Sequence, residues 1–372
     1  MKNDFEIRAM DEPAATANSG DIANEIANDT ANDIAKQGEM RKAQIAGLAG
    51  KSDTAPLKLK LPLGAADFRA LLQNGCIYVD KTDFITGFLE SDAPVFIVRP
   101  RRFGKSLLVS TLEAFFRYGP ELFHGLYLEQ WWRQLPEGRR TQLRGKTVLK
   151  LDFSLLELND FAGFPESFTR EIRSLLTGAG VDILQFMKDH HQSYTGKTAA
   201  RDMMADYLEA VPDKSVVLLI DEYDAPITHF LDQPKILWQV RALLDSFYRM
   251  LKAKYVKIQF MFVTGITKVA RVGLFSGFNN VFDLSMHPQY ANLLGYTDAE
   301  LNQYFDPAIA EAARQTGLNT SEIKAGLKAN YDGFRFVPGS KETLYAPWSV
   351  LSWLVAPQNT FPGFWASSGG AS

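Results

Sequence analysis

Residues 95–106 read V-F-I-V-R-P-R-R-F-G-K-S, an apolar run followed by a short loop that ends in Gly-Lys-Ser. The residues that follow, L-L-V-S-T-L-E-A-F-F, place their large apolar side chains at the spacing of a half-buried helix. A strand, a tight loop and a helix in this order are typical of a phosphate-binding loop, because the helix points its first N–H groups at the anion. The pattern predicts an α/β fold with the ligand at the carboxyl ends of the strands.

The Gly-Lys-Ser triplet supplies three parts of this chemistry. Gly104 lacks a Cβ, so the backbone can approach a phosphate, and Lys105 offers a positive charge to the outer phosphates. Ser106 offers a hydroxyl to Mg²⁺. Four neighbouring residues are predicted to complete the nucleotide contacts: Arg101, Arg102, Phe103 and Leu107. For the two arginines, phosphate contact and surface solvation are equally open.

The full motif G-x-x-x-x-G-K-[ST] begins with a glycine, where this sequence has Arg99. The shortened motif also fits a charged turn, so a second motif is needed. Residues 216–224 read V-V-L-L-I-D-E-Y-D, a fully apolar strand that ends in two carboxylates. We predict that Asp221 binds the metal and that Glu222 acts as the general base on the attacking water. The alternative is a core strand that simply ends at the solvent.

Several further residues have two open interpretations. In the apolar run Ile258–Gly265, Thr264 is predicted to contact the γ-phosphate or the water, although threonine is common in strands. Asp224 fits either the metal site or a cap on the next turn. For Arg271 a surface charge is favoured over a catalytic arginine. For Asp80 and Lys81 a helix-capping turn is favoured over contact with the nucleotide base.

Composition excludes several classes of protein. The chain is 46% apolar with a net charge of −3, which supports a large core and gives no overall field for gripping nucleic acid. The single cysteine, Cys76, excludes an internal disulfide. No apolar run reaches the roughly 18 residues of a membrane span, and the N-terminus lacks a signal-peptide core. We therefore predict a cytoplasmic protein without a membrane partner.

The sequence divides into three regions. Residues 1–55, rich in Ala, Asn and Asp, are predicted to be a disordered, low-complexity leader. Residues 56–290 alternate apolar runs with helical patterns, which predicts a P-loop domain with a mainly parallel sheet and helices on both faces. Residues 291–372 predict a smaller, mostly helical C-terminal region that ends in a flexible tail. That tail has the composition either of a linker to a further domain or of a frayed terminus.

An ordered series of short strings resembles the bacterial AAA-ATPase-like family from about residue 57 to the end of the chain. The strings are L-P-L-G-A-A-D-F-R, Y-V-D-K-T-D-F-I, R-P-R-R-F-G-K-S, L-I-D-E-Y-D-A-P, F-V-T-G-I-T-K, N-N-V-F-D-L-S, L-G-Y-T and Y-D-G-F-R-F. The resemblance implies that Arg99 is a family trait, that ATP is preferred over GTP, and that five residues keep the family's roles: Gly104, Lys105, Ser106, Asp221 and Glu222. Family members often continue into a PD-(D/E)XK nuclease-like domain, and this sequence is expected to be a short or truncated form without that activity.

Two functions follow from these observations. The first is a Mg²⁺-dependent P-loop ATPase with ATP and Mg²⁺ as its ligands, working with a protein partner or as a homo-oligomer. The second is a nucleotide-dependent switch or binding module with little hydrolysis. A nucleic-acid partner is a third, open possibility that rests on the arginines of residues 99–102 alone.

Overall fold

The structure is a computed structural model that describes residues 60–158, 160–268 and 281–364. The predicted leader, Arg271 and residues 365–372 of the predicted tail lie outside this part of the chain. The strands are β1 (Val95–Val98), β2 (Thr147–Asp152), β3 (Val216–Asp221), β4 (Ile258–Gly265) and β5 (Phe282–Asp283). The helices up to β4 are α1 (Phe68–Gln73), α2 (Thr82–Leu89), α3 (Lys105–Tyr118), α4 (Tyr127–Gln134), α5 (Glu137–Leu143), α6 (Gly163–Gly178), α7 (Ile183–Asp189), α8 (Ala199–Ala210), α9 (Ala225–His229) and α10 (Pro234–Ala253). The later helices are α11 (Asp298–Thr316), α12 (Thr320–Tyr331) and α13 (Pro347–Val355).

The strands form one five-stranded sheet in the order β2-β3-β4-β1-β5, and every pair in it is parallel. Helices connect β1 to β2, β2 to β3 and β3 to β4 and cover both faces of the sheet, so the predicted α/β fold class is confirmed. Strand β4 lies between the strand that enters the phosphate loop and the strand that ends in the two carboxylates. The carboxyl ends of β1, β3 and β4 therefore meet at one edge.

The two faces of the sheet carry separate hydrophobic layers. Helices α1 to α5 pack on one face, where the side chains of Val217 and Leu219 in β3 join them. Helices α6, α8 and α10 pack on the other face, together with Leu218 and Ile220. Since side chains alternate along a strand, Asp221 continues the row of Leu219 onto the α3 face.

A third layer joins the C-terminal helices to the start of the domain. Apolar side chains of α11, α12 and α13 share a cluster with Ile77 and Val79, which precede α2. Helices α11 and α12 each begin with a capping box, Thr297 with Glu300 and Asn319 with Glu322. The predicted helical character of this region is therefore observed, whereas the predicted domain boundary stays a prediction.

None of the helices in the described parts of the chain combines the length and the apolar character that a membrane crossing needs.

Phe262, at the centre of β4, tests this packing. Its side chain is fully buried, and its ring centroid lies 5.8 Å from that of Phe88 in α2. We expect Phe262→Ala to lower the free energy of unfolding by about 3–5 kcal/mol, because it leaves a cavity between the sheet and the helices α1 to α5. Chemical denaturation measures the change, and Trp238→Ala, at a side chain 73% exposed, should stay within about 0.5 kcal/mol. An equal loss of stability in the two variants would contradict the packing of Phe262 between the sheet and the helices.

Candidate functional site

The phosphate loop joins β1 to α3 through two left-handed residues. Arg102 has φ 66° and Gly104 has φ 93°, and α3 begins at the next residue, Lys105. Among the described residues, a Cβ on Gly104 would have a Leu294 methyl at 3.8 Å as its one neighbour within 4 Å, so the backbone conformation rather than crowding favours glycine there. The first turn of α3 thus opens directly at the sheet edge, as the sequence predicts.

Lys105 lies between the loop and β3. Its side chain is buried, and the Nζ donates a hydrogen bond to the Pro100 carbonyl oxygen at 3.2 Å. The same Nζ lies 3.5 Å from Oε1 of Glu222. The structure therefore brings together the lysine and the predicted general base, which are distant in sequence.

Ser106 and Asp221, the two predicted metal ligands, are in direct contact. Burial raises the pKa of the Asp221 carboxyl, and the nearby Asp152 carboxylate raises it further. A hydrogen bond with the Ser106 side chain and the charge of Lys105 oppose this rise. An oxygen-rich pair at the start of α3 is a suitable ligand set for Mg²⁺.

Asp152 is a site residue that the sequence reasoning missed. It ends β2 directly beside Asp221 in the parallel register. One carboxylate oxygen accepts hydrogen bonds from the Ser154 N–H at 2.9 Å and the Ser154 hydroxyl at 2.7 Å. A weaker signal was present, because T-V-L-K-L-D, which is interrupted by Lys150, also ends a strand-like run with a carboxylate.

Glu222 has a strained backbone at the end of β3. Its φ is 48°, a left-handed conformation that is uncommon for residues other than glycine. Burial raises the pKa of its carboxyl, the charge of Lys105 lowers it, and the Asp221 and Asp224 carboxylates raise it. The result is a half-buried carboxyl at the site whose affinity for a proton is increased.

Thr264 lies at the carboxyl end of β4, beside Ile97 of β1. Its side chain is fully buried, and its hydroxyl has no hydrogen-bond partner among the described residues. The residue continues the row of Phe260 and Phe262 onto the α3 face. A buried hydroxyl without a partner costs about 1–3 kcal/mol, which calls for a functional explanation.

The carboxylate of Asp224 has a structural role that the sequence did not predict, and a part in the metal site stays a prediction. Its fully buried carboxylate accepts hydrogen bonds from the N–H groups of Ile266 at 3.1 Å and Thr267 at 2.7 Å, and from the Thr267 hydroxyl at 2.8 Å. It makes no side-chain cap on α9. Gly265 allows this approach, because a Cβ there would lie 2.4 Å from the carboxylate. Asp224 thus ties the chain after β4 to the end of β3.

Asp80 makes the turn at the start of α2, whereas contact of Lys81 with a nucleotide base stays a prediction. Asp80 accepts hydrogen bonds from the N–H and hydroxyl of Thr82, at 2.9 and 2.7 Å, which is the capping turn. Lys81 donates to the Asn292 carbonyl at 2.7 Å and pairs with Glu300 in α11 at 2.6 Å. Lys81 also lines a cavity of about 80 Å³ beside Gly104. The other walls of this cavity are mainly apolar and include Tyr78, Val79, Phe103, Leu107, Leu294 and Tyr296.

The arginines of the loop do not form a continuous basic patch. Arg99 is only 1% exposed, Arg102 is half-buried with its guanidinium 4.6 Å from the Trp348 ring centroid, and Arg101 alone is exposed. Burial lowers the pKa of Arg99 to about 10, which leaves it charged at neutral pH. The observation that favoured a nucleic-acid partner is therefore weakened.

A family model described as a predicted AAA-ATPase, AAA-ATPase-like, matches residues 62–275. The chain belongs to this family. The match includes the phosphate loop, both carboxylates of β3 and Thr264, and it supports ATPase-like nucleotide binding.

Two known proteins are similar to this AAA-ATPase-like chain. The "Uncharacterized protein in vnfD 5'region" of Azotobacter chroococcum mcd 1 is 30% identical over 317 residues, which are 83% of this chain and 54% of the relative. The chain thus spans about half the length of that curated relative. A chain in the structure of Drosophila ORC bound to AT-rich DNA and Cdc6 aligns over 88% of this chain and 45% of its own length, with 10% identity and a TM-score of 0.30. That likeness is too distant to bear on function.

Asp224→Asn tests how the site is held together. The amide offers one acceptor in place of two and turns an N–H₂ group toward backbone donors, so we expect the free energy of unfolding to fall by about 2–3 kcal/mol. Thermal or chemical denaturation measures the loss. Asp232→Asn, at an exposed position nearby, is the matched control and should leave stability unchanged. If the two variants were equally stable, the link between Asp224 and residues 266–267 would not contribute to the fold.

Proposed function

We propose that this protein binds ATP with Mg²⁺ and hydrolyses it to ADP and phosphate. The observation that carries the proposal is the 3.5 Å contact between the Lys105 ammonium and the Glu222 carboxylate at the mouth of the phosphate loop. Membership of the predicted AAA-ATPase family supports nucleotide binding. The proposal adds the reaction, the metal and the role of each residue.

The phosphates are bound by the loop and by α3. Lys105 offers its ammonium to the β- and γ-phosphates, and the N–H groups at the start of α3 point the same way. Of the flanking residues, Phe103 contributes its backbone, because its ring is buried, whereas Arg101 is exposed and free to approach a phosphate. Leu107 lines the apolar cavity beside Gly104, which we propose receives an edge of the base.

Ser106 and Asp221 are proposed to hold the metal. Their hydroxyl and carboxylate oxygens are hard ligands, and the Asp152 carboxylate adds negative charge beside them. A bound Mg²⁺ would neutralise charge on the phosphate oxygens during transfer. Asp221 has to be ionised to serve as a ligand, and the positive charge of Lys105 favours that form.

Glu222 is proposed to accept the proton of the attacking water. The water oxygen forms a bond to the γ-phosphorus, the bond to the β–γ bridging oxygen breaks, and the proton goes to the Glu222 carboxylate. A γ-phosphate that engages Lys105 competes with Glu222 for the ammonium, which makes the carboxylate available. Its raised pKa suits this role. Thr264, whose hydroxyl has no partner among residues 60–158, 160–268 and 281–364, is proposed to donate that hydroxyl to the γ-phosphate or to the water.

A nucleotide-dependent switch is the second candidate function. It is favoured by the contact of Arg102 in the phosphate loop with Trp348 in α13, because such a contact can transmit occupancy of the loop. Under this alternative the wild-type protein binds ATP and shows no phosphate release above the blank. Phosphate release therefore separates the two functions directly.

Lys105→Ala and Glu222→Gln should have different effects. We expect Lys105→Ala to weaken ATP binding and to abolish turnover, because the phosphates lose their buried cation. Glu222→Gln should retain ATP binding and lose about 100-fold or more in turnover, because the water loses its proton acceptor. Phosphate release with Mg²⁺ and equilibrium ATP binding measure the two effects. Lys252→Ala and Glu166→Gln serve as controls, because each removes the same charge at an exposed position. Full turnover in Glu222→Gln would rule out this base.

Thr264→Val should improve stability and reduce activity at the same time. Valine has nearly the same shape and removes a buried hydroxyl that has no partner in the described parts of the chain, so the free energy of unfolding should stay equal or rise by about 1 kcal/mol. Turnover should fall about 10-fold or more, because the γ-phosphate or water loses a donor. Denaturation and phosphate release on the same preparation check both effects. Unchanged turnover would make Thr264 an ordinary strand residue.

A further inference from the structure

Three aromatic residues of the C-terminal region, Phe334, Phe336 and Trp348, contact residues of the phosphate loop. They belong to residues 334–348, which we call the C-terminal clamp. The Phe103 ring centroid lies 4.8 Å from that of Phe334 and 5.3 Å from that of Phe336, edge-on in both cases. The Trp348 ring lies under the Arg102 guanidinium at 4.6 Å. Tyr345 anchors the clamp to α11, where its hydroxyl donates to Asp298.

Arg99 joins the first position of the loop to the same clamp. Its Nη1 donates hydrogen bonds to the Val98 carbonyl at 3.0 Å and the Ser285 carbonyl at 2.8 Å, and its Nη2 donates to the Tyr290 carbonyl at 3.2 Å. Its guanidinium lies 4.1 Å from the Phe336 ring centroid. The buried cation is thus held by the strand before the loop, by the chain after β5 and by the clamp.

The clamp is itself a defined piece of structure. Phe334 and Leu344 exchange two backbone hydrogen bonds, at 3.2 and 3.0 Å, and form an antiparallel bridge. Tyr345 bridges to Tyr296 in the same way, at 2.8 and 3.2 Å. The rings that meet the phosphate loop are therefore presented by a braced segment of the chain.

We propose that Phe336 and Trp348 are positioning residues of the nucleotide site, and that occupancy of the phosphate loop and packing of the C-terminal clamp are coupled. The inference rests on the proposed nucleotide binding and goes beyond it, because it makes the C-terminal region part of the site. The loop has two left-handed residues, Arg102 and Gly104, and its conformation therefore needs support from its surroundings. By linkage, a nucleotide that favours this loop conformation also favours the packed clamp.

Phe336→Ala and Phe361→Ala form a matched pair. Both remove a half-buried ring from the C-terminal region, but Phe361 stacks on Trp353 at 4.8 Å and belongs to the third hydrophobic layer. In the full chain, titration with a fluorescent ATP analogue should give a dissociation constant raised about 10-fold for Phe336→Ala. Phe361→Ala should bind the analogue like the wild type, although its melting temperature should fall at least as far as that of Phe336→Ala. Phe336→Tyr, which keeps the ring, should restore binding.

A second measurement does not depend on the folding of a variant. ATP should slow hydrogen exchange of the amides in residues 334–348 of the wild type, and it should have no such effect in Lys105→Ala.

Trp348→Ala should weaken binding, whereas Trp348→Phe should largely keep it, because phenylalanine still presents a ring face to Arg102.

The outcomes separate this inference from the proposed function. If the wild type binds the analogue while Phe336→Ala and Phe361→Ala weaken it equally, the clamp has only a structural role and the coupling is wrong. If the wild type binds but exchange in residues 334–348 is unchanged, the coupling is also wrong. If the wild type binds no nucleotide, both the proposed function and this inference fail.

Discussion

The contact between the Lys105 ammonium and the Glu222 carboxylate is the interaction through which the parts of this molecule meet. Lys105 belongs to the helix after β1 and Glu222 follows β3, while β4 lies between those strands. A parallel sheet directs all three strands to one edge, so a loop, a pair of carboxylates and a threonine hydroxyl converge without being neighbours in sequence. The order of the strands therefore determines which side chains can act on one triphosphate, and the apolar layers on both faces hold that order fixed.

Several features of the site are unfavourable for the stability of the fold, and they lie where the proposed chemistry takes place. Asp221 is almost fully buried, which raises its pKa, and Thr264 carries a buried hydroxyl without a partner in the described structure. Glu222 has a left-handed backbone. Each feature is unfavourable by itself. Together they place two carboxyl groups and an unpartnered hydroxyl close to the loop, an arrangement that suits the proposed triphosphate and its metal ion. Asp224 is the contrasting case, because its carboxylate is fully used in holding residues 266–267.

The sequence predicted those parts of the site that are coded locally. The apolar run, the Gly-Lys-Ser triplet and the helical stripe lie within one short stretch, so β1, the loop and α3 follow from local pattern. The parallel sheet followed from the alternation of strands and helices. The partners of Asp224 and Lys81 could not be predicted, because they lie in segments far along the chain and depend on how the layers pack. Asp152 was missed for a different reason: its strand, like β3, ends in a carboxylate, but only the register across the sheet reveals that it stands beside Asp221.

The surroundings of Arg99 explain how this loop accommodates an arginine at the position of the motif's first glycine. A glycine is needed where the backbone is left-handed or where a side chain would collide, and the left-handed positions of this loop are Arg102 and Gly104 rather than Arg99. The Arg99 side chain instead leaves the loop and turns inward, where three carbonyl oxygens and the Phe336 ring receive it. An arginine can occupy this position only if the protein provides those acceptors, because a buried guanidinium without partners would be strongly destabilising. The acceptors come from β1, from the chain after β5 and from the C-terminal clamp. The substitution of glycine by arginine therefore makes the phosphate loop dependent on regions of the chain that a glycine would not have to contact.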